Sequence, residues 1–151
     1  MEVVLYQPEI PPNTGNVARL CAATEIPLHL VRPLGFSLED RYLRRAGLDY
    51  WPHVMLTVWD RWDDFLEARS TSRKVYTSAR RGIDLFEYAF RSEDCLLFGP
   101  ETRGFTWDFA PEEHVVRIPM RGEVRSLNLS TAVGIVLYEA LRQTGYFNAR
   151  S

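Results

Sequence analysis

The chain has 151 residues, 46% of them hydrophobic and 25% charged, and a formal net charge of −2. That is enough apolar material for one domain with a real core, and it excludes a disordered tail or a fibre. No stretch approaches the roughly 18 consecutive apolar residues of a membrane span. The opening MEVVLYQPEIPPN has neither a basic segment nor a long apolar one, so no secretory leader is expected. Cys21 and Cys95 lie far apart, and a reducing cytoplasm is the expected compartment. The net charge does not mark a nucleic-acid binder. However, of the 18 basic residues only Lys74 is a lysine, and arginine suits bidentate phosphate contacts.

In chain order, residues 3–6 form an apolar run that predicts a buried strand. Pro8, Pro11 and Pro12 predict an extended loop. Asn13 or Thr14 can cap a helix running to about Thr24. Residues 28–31 read as a second strand. Ser37 with Asp40 resembles a capping pair for a helix through Arg45, ended by Gly47. Residues 54–59 read as a strand, and Asp60 can cap a helix over 62–68. Strands are predicted at 74–78, 96–98 and 115–118, the last two stopped by Gly99-Pro100 and by Pro119. Asn128 or Ser130 caps a final helix over 131–144, closed by Gly145. Strands alternate with helices, and several strands are continuously apolar. This predicts an α/β domain over residues 1–151, with a mostly parallel sheet covered by helices on both faces. Ligands in such sheets bind beyond the carboxyl ends of the strands. The segments there are 7–14, 79–82, 99–104 and 119–127.

Three segments stand out. PEIPPNTGN (8–16) is stiffened by prolines, and it sets Asn13, Thr14 and Asn16 beside a helix N-terminus that attracts anions, with Arg19 in reach. FGPETRG (98–104) ends a buried strand abruptly and carries Glu101. IPMRGEVRSLNLS (118–130) is too polar for mere packing. In it Met120 and Leu127 can flank a flat aromatic ring, and backbone groups at Ile118 and Met120 can read the ring's edge. Each segment alone also has a plainer reading, as a capped helix start, an ordinary turn and a capping loop. There is no G-x-G-x-x-G, no P-loop and no G-x-S-x-G elbow. His29, His53, His114 and the cysteines lack metal-ligand spacing, so no metal is expected.

Taken together, the segments resemble the SPOUT class of RNA methyltransferases. Within it the chain is similar to the short, single-domain tRNA 2′-O-methyltransferases of the TrmL or YibK type, which act on the wobble nucleotide. The matching residues are PEIPPNTGN with Arg19, Leu20 and Cys21, then RRAGLDY (44–50), FGPETRG (98–104), Ile118-Pro119-Met120, RSLNLS (125–130) and Tyr138-Glu139. The resemblance spans residues 4–146. It implies a deep trefoil knot over residues 95–146, although true knots are otherwise nearly absent from proteins. It also implies S-adenosylmethionine bound in the knot loops, and a homodimer packed through its first and last helices. The apolar residues Val133, Ile135, Val136, Leu137 and Leu141 of the last helix are consistent with that.

The resemblance implies transfer of a methyl group from S-adenosylmethionine to the ribose 2′-hydroxyl of nucleotide 34, cytidine or uridine, in the tRNA anticodon stem-loop. Arg19 is the implied catalytic residue, as base or as holder of phosphate and oxyanion. Ser126 and Asn128 position cofactor or ribose. Ser78, Gly99, Glu101, Ile118, Met120, Ser126 and Leu127 are the implied cofactor contacts, with Glu101 orienting Arg19 or the cofactor hydroxyls. Asn13, Arg44, Arg45, Arg103, Arg121 and Arg125 are the implied RNA contacts. The competing readings are the same chemistry on ribosomal RNA, a non-catalytic RNA-binding module, and an α/β domain for another nucleotide.

Overall fold

A computed structural model describes residues 1–41, 43, 45, 50–103 and 105–149. Among the described residues, seven strands form one sheet: β1 (Glu2–Tyr6), β2 (Leu28–Val31), β3 (Leu56–Trp59), β4 (Lys74–Thr77), β5 (Ile83–Asp84), β6 (Cys95–Phe98) and β7 (Val115–Arg117). Their order across the sheet is β3-β2-β1-β6-β4-β7-β5. Each adjacent pair runs parallel, as the continuous apolar runs predict. Among the elements whose bounds lie wholly in the described residues, the helices α1 (Pro11–Thr24), α2 (Trp62–Ala68) and α3 (Leu129–Gln143) flank the sheet.

Alternation along each strand sends neighbouring side chains to opposite faces. Val3, Leu5, Leu28, Leu30, Leu96 and Phe98 point one way, onto Val17 and Cys21 of α1 and onto Val133, Val136, Leu137 and Leu141 of α3. Val4, Tyr76, Cys95 and Leu97 point the other way, onto Phe65 of α2 and onto Trp107. Both faces are therefore covered.

Several local expectations change. Pro11 and Pro12 are not in the loop; they form the first turn of α1, where a fixed φ and a missing N–H suit the helix start. Ile10 holds the N-cap position with no side-chain cap, so neither Asn13 nor Thr14 caps. Arg61, not Asp60, precedes α2, and Asp60 instead faces Arg32 at 3.3 Å. Asn128 is the cap of α3, not Ser130. The two-residue strand β5 was not expected, being too short to carry a periodic signal. The helix expected after the Ser37/Asp40 pair, through Arg45 and ended by Gly47, lies partly outside the described residues. Within them, Asp40 Oδ1 accepts from Leu43 N at 3.3 Å.

At the β4–β7 side, successive connections pass on opposite faces of the sheet. From β4 the chain travels to the sheet edge at β5, then returns through Leu85, Tyr88 and Phe90 on the α1/α3 face to reach β6. From β6 it passes over β4 on the opposite face, through Trp107, to reach β7. It then returns to the first face as α3, beside α1. Because these strands all run parallel, the loops after β1, β4, β6 and β7 lie at one end of the sheet.

Candidate active site

The site is built at the carboxyl ends of β1, β6, β4 and β7. The chain leaves β1 through Gln7, whose φ of 49° turns it sharply. Gly35 N donates to Pro8 O at 2.9 Å, and a Cβ at Gly35 would lie 2.7 Å from Glu9 Cα. Only glycine allows that backbone approach, which fixes the start of the PEIPPN loop.

The N-terminus of α1 does hold an anion, but the anion belongs to the chain. Glu101 Oε1 accepts from Glu9 N at 2.8 Å, and Oε2 accepts from Ile10 N at 2.7 Å and from Asn13 Nδ2 at 3.4 Å. A carboxylate from the β6–β7 loop thus satisfies donors that no local side chain reaches. The tie is reciprocal. Glu9 Oε1 accepts from Thr102 N at 3.0 Å and from Thr102 Oγ1 at 2.9 Å, while Oε2 takes the same hydroxyl at 2.9 Å. The Thr102 backbone N–H, then its hydroxyl, holds the Glu9 carboxyl below its usual range. Arg103 adds a bond to Gln7 Oε1 at 2.8 Å.

Asn128 brings in the third loop. Its Oδ1 accepts from Ser130 N at 2.9 Å and Thr131 N at 3.4 Å, which caps α3. Its Nδ2 donates to Asn13 Oδ1 at 2.9 Å. Asn13, expected as an RNA contact, is only 7% exposed, and both polar atoms of its amide are used within the chain. It bridges Glu101 on one side and Asn128 on the other. Glu101, expected to orient Arg19 or cofactor hydroxyls, has both oxygens on the start of α1.

Arg19 projects from the exposed side of α1, with its guanidinium 4.8 Å from the centroid of the Tyr50 ring. Ser78 is buried just past β4; its N donates to Val116 O at 3.0 Å and its Oγ accepts from Arg80 N at 3.2 Å. A Cβ at Gly99 would meet Phe105 Cβ at 2.7 Å, so the turn after β6 is closely packed. Ile118 and Met120 are half-buried, Leu127 is 36% exposed, and Ser126 is exposed. Arg45, Arg103, Arg121 and Arg125 are exposed, and Arg44 lies outside the described residues.

The residues present fit S-adenosylmethionine. Ile118, Met120 and Leu127 leave apolar surface partly open. Among the described residues, no main-chain group of 119–127 is engaged in a backbone hydrogen bond. Apolar surface beside free N–H and C=O groups suits a flat heteroaromatic ring with polar edges. Reading the sequence assigned no role to Glu9, Gln7, Gly35, Tyr50 or Thr102. Glu9, Tyr50 and Thr102 stand inside the quoted motifs. Their partners, 88 to 93 positions away for the Glu9 and Glu101 ties, carry no local signal.

The chain belongs to the SpoU rRNA methylase family, whose pattern residues 1–138 match. Two relatives bear the name tRNA (cytidine(34)-2′-O)-methyltransferase. The one from Methylovorus glucosotrophus is 47% identical, with 98% of both chains covered. The one from Escherichia coli K12 is 46% identical, covering 97% of this chain and 95% of its own. A solved structure described as giving insights into the 2-OH methylation of C/U34 on tRNA is 55% identical, with a TM-score of 0.89 over 94% of each chain. The AviRb methyltransferase of Streptomyces viridochromogenes, solved with its cofactor AdoMet, is 27% identical, with a TM-score of 0.83 over 95% of this chain and 60% of its own.

Proposed function

We propose that the protein transfers a methyl group from S-adenosylmethionine to the ribose 2′-hydroxyl of nucleotide 34, a cytidine or uridine, of tRNA. The observation that carries this reading is the Glu101–Asn13–Asn128 chain of hydrogen bonds. It gathers the loops after β1, β6 and β7 around one space, beside the helix that presents Arg19.

The bound cofactor supplies an electrophilic methyl group on a sulfonium. The chain's own residues hold the two reactants in line, and orientation of this kind supplies much of the rate. Ile118, Met120 and Leu127 receive the adenine, with main-chain groups of the β7–α3 loop reading its edge. Ser78 and Gly99 line the neighbouring turns. Arg19 holds a phosphate next to the target ribose and stabilises the oxyanion developing on the 2′-oxygen; an arginine seldom gives up a proton, so that proton leaves to phosphate or water. Ser126 and Asn128 orient the ribose. The exposed Arg45, Arg103, Arg121 and Arg125 supply phosphate contacts, which makes binding salt-dependent.

The protein works as a homodimer with a knotted C-terminal segment, in the cytoplasm where its tRNA resides. α3 supports the dimer. Val133, Val136, Leu137 and Leu141 are buried within the chain, but Ile135 and Tyr138 stay 36% and 47% exposed. They line a groove of about 540 Å³ together with Phe86 and Phe147. The successive connections on opposite faces of the sheet at β4 support the knot. No helix among the described residues is long and apolar enough to cross a membrane, and no cluster of three or more His, Cys, Asp or Glu side chains among them is placed to hold a metal.

The test is incubation with labelled S-adenosylmethionine and unmodified tRNA, followed by digestion and identification of the methylated nucleoside. A 2′-O-methylated pyrimidine at position 34, lost in Arg19→Ala, is the expected result. Transfer only to ribosomal RNA would overturn the substrate assignment. Cofactor binding without transfer to either RNA would favour a binding module.

A further inference from the structure

We propose that Glu9 and Thr102 form a positioning clasp that couples the cofactor loop after β6 to the placement of Arg19 on α1. The proposal rests on the methyl-transfer reading above, which puts the cofactor against that loop and the RNA against α1.

Residues 101–103 form a turn after β6, and side chains tie that turn to the start of α1. Among the described residues, the side-chain hydrogen bonds of Glu101, Thr102 and Arg103 run to Gln7, Glu9, Ile10 or Asn13. The receiving segment is stiff. Gly35 packs against the Glu9 backbone, Pro8 is buried, and Pro11-Pro12 open a 14-residue helix directly. A shift at Thr102 is therefore passed to a rigid rod that carries Arg19 from its third turn.

The two carboxylates share the work unequally. Glu101 serves the helix start. All three carboxylate bonds of Glu9 among the described residues go to Thr102. Those bonds lie at the exposed rim, so the clasp can loosen without opening the core. Glu9 is thus a positioning residue, and it acts through Thr102.

The experiment uses Glu9→Ala, Thr102→Val and Glu9→Gln, each compared with the wild type in the full chain. Binding of an unmodified tRNA transcript is titrated with and without S-adenosylhomocysteine, and kcat and KM are measured for both substrates. In the wild type, the cofactor product tightens tRNA binding about tenfold, a coupling of ordinary size. Glu9→Ala and Thr102→Val bring that factor to within about twofold of one. Their tRNA affinity without S-adenosylhomocysteine is unchanged, and kcat falls about tenfold at nearly constant KM. Glu9→Gln, which keeps an acceptor oxygen, falls between. A merely structural role would instead lower the active fraction while leaving the coupling factor intact. Coupling in Glu9→Ala equal to the wild-type value overturns the proposal, as does its absence from the wild type.

Should the wild type transfer no methyl group to tRNA, the functional reading fails and the clasp is still decided by hydrogen exchange. S-adenosylhomocysteine then slows exchange at the Glu9 and Ile10 amides in the wild type and not in Glu9→Ala. Equal slowing in both overturns it.

Discussion

At the residue scale, the polar groups buried outside the site behave as supports. Asp94 is fully buried and takes two 2.7 Å bonds from Arg73, whose guanidinium also lies 5.1 Å from the Tyr88 ring centroid. Arg73→Met leaves that carboxylate without its cation, so a loss of about 3–5 kcal/mol is expected in urea unfolding. Glu2 is a second case. His29 Nδ1 accepts from Trp59 Nε1 at 2.9 Å, so His29 Nε2 carries the proton and faces Glu2 Oε1 at 3.2 Å. His29 first, then Arg69, hold the Glu2 carboxyl well below its usual range, against the opposing effect of burial. A depressed carboxyl stabilises the fold above its unfolded value, near pH 4, and that contribution is lost as pH falls further. Glu2→Gln is therefore expected to flatten the acid limb of a stability-against-pH curve below about pH 4. The two thiols are inert by the same physics. Burial pushes Cys21 up to about 12 and Cys95 up to about 11, so neither is expected to react with a thiol reagent at pH 8 until the protein unfolds.

At the scale of elements, the start of α3 combines two functions in one side chain, and they are separable. Asn128→Asp keeps the acceptor that caps the helix and loses the donor to Asn13. Stability is expected to stay within about 1 kcal/mol, because Asn and Asp cap comparably, while methyl transfer falls at least tenfold. Asn128→Ala loses both, with a further cost of about 1 kcal/mol in thermal unfolding. Gly35→Ala tests the other side of the site. Its methyl would press on the Glu9 backbone from 2.7 Å, so activity should fall with the secondary structure retained in circular dichroism.

For the whole molecule, both sheet faces are covered within the chain, while the outer side of α3 is not. Ile135 and Tyr138 remain open beside Phe86 and Phe147, whereas the rest of the helix's apolar surface is used. Ile135→Glu is expected to shift the proposed dimer to monomer in sedimentation and to abolish methyl transfer. An unchanged dimer would place the interface elsewhere.

The elements themselves were legible in the sequence. β2 and α2 fall at the expected positions, and β1, β4, β6 and β7 fall within one residue of them, because short apolar runs between prolines, glycines and polar turns leave little choice of register. The three site segments were legible too, from their density of Pro, Gly, Asn and Arg at strand ends. What joins them was not. That Glu101 caps a helix begun 90 residues earlier, that Asn13 turns inward, and that Glu9 grips Thr102 follow from a strand order in which β6 lies beside β1. Hydrophobic period and turn chemistry are local quantities and set elements. Which loop meets which depends on the order of strands in the sheet, where residues a hundred positions apart become neighbours and each buried polar atom takes the partner that the crossing brings to it.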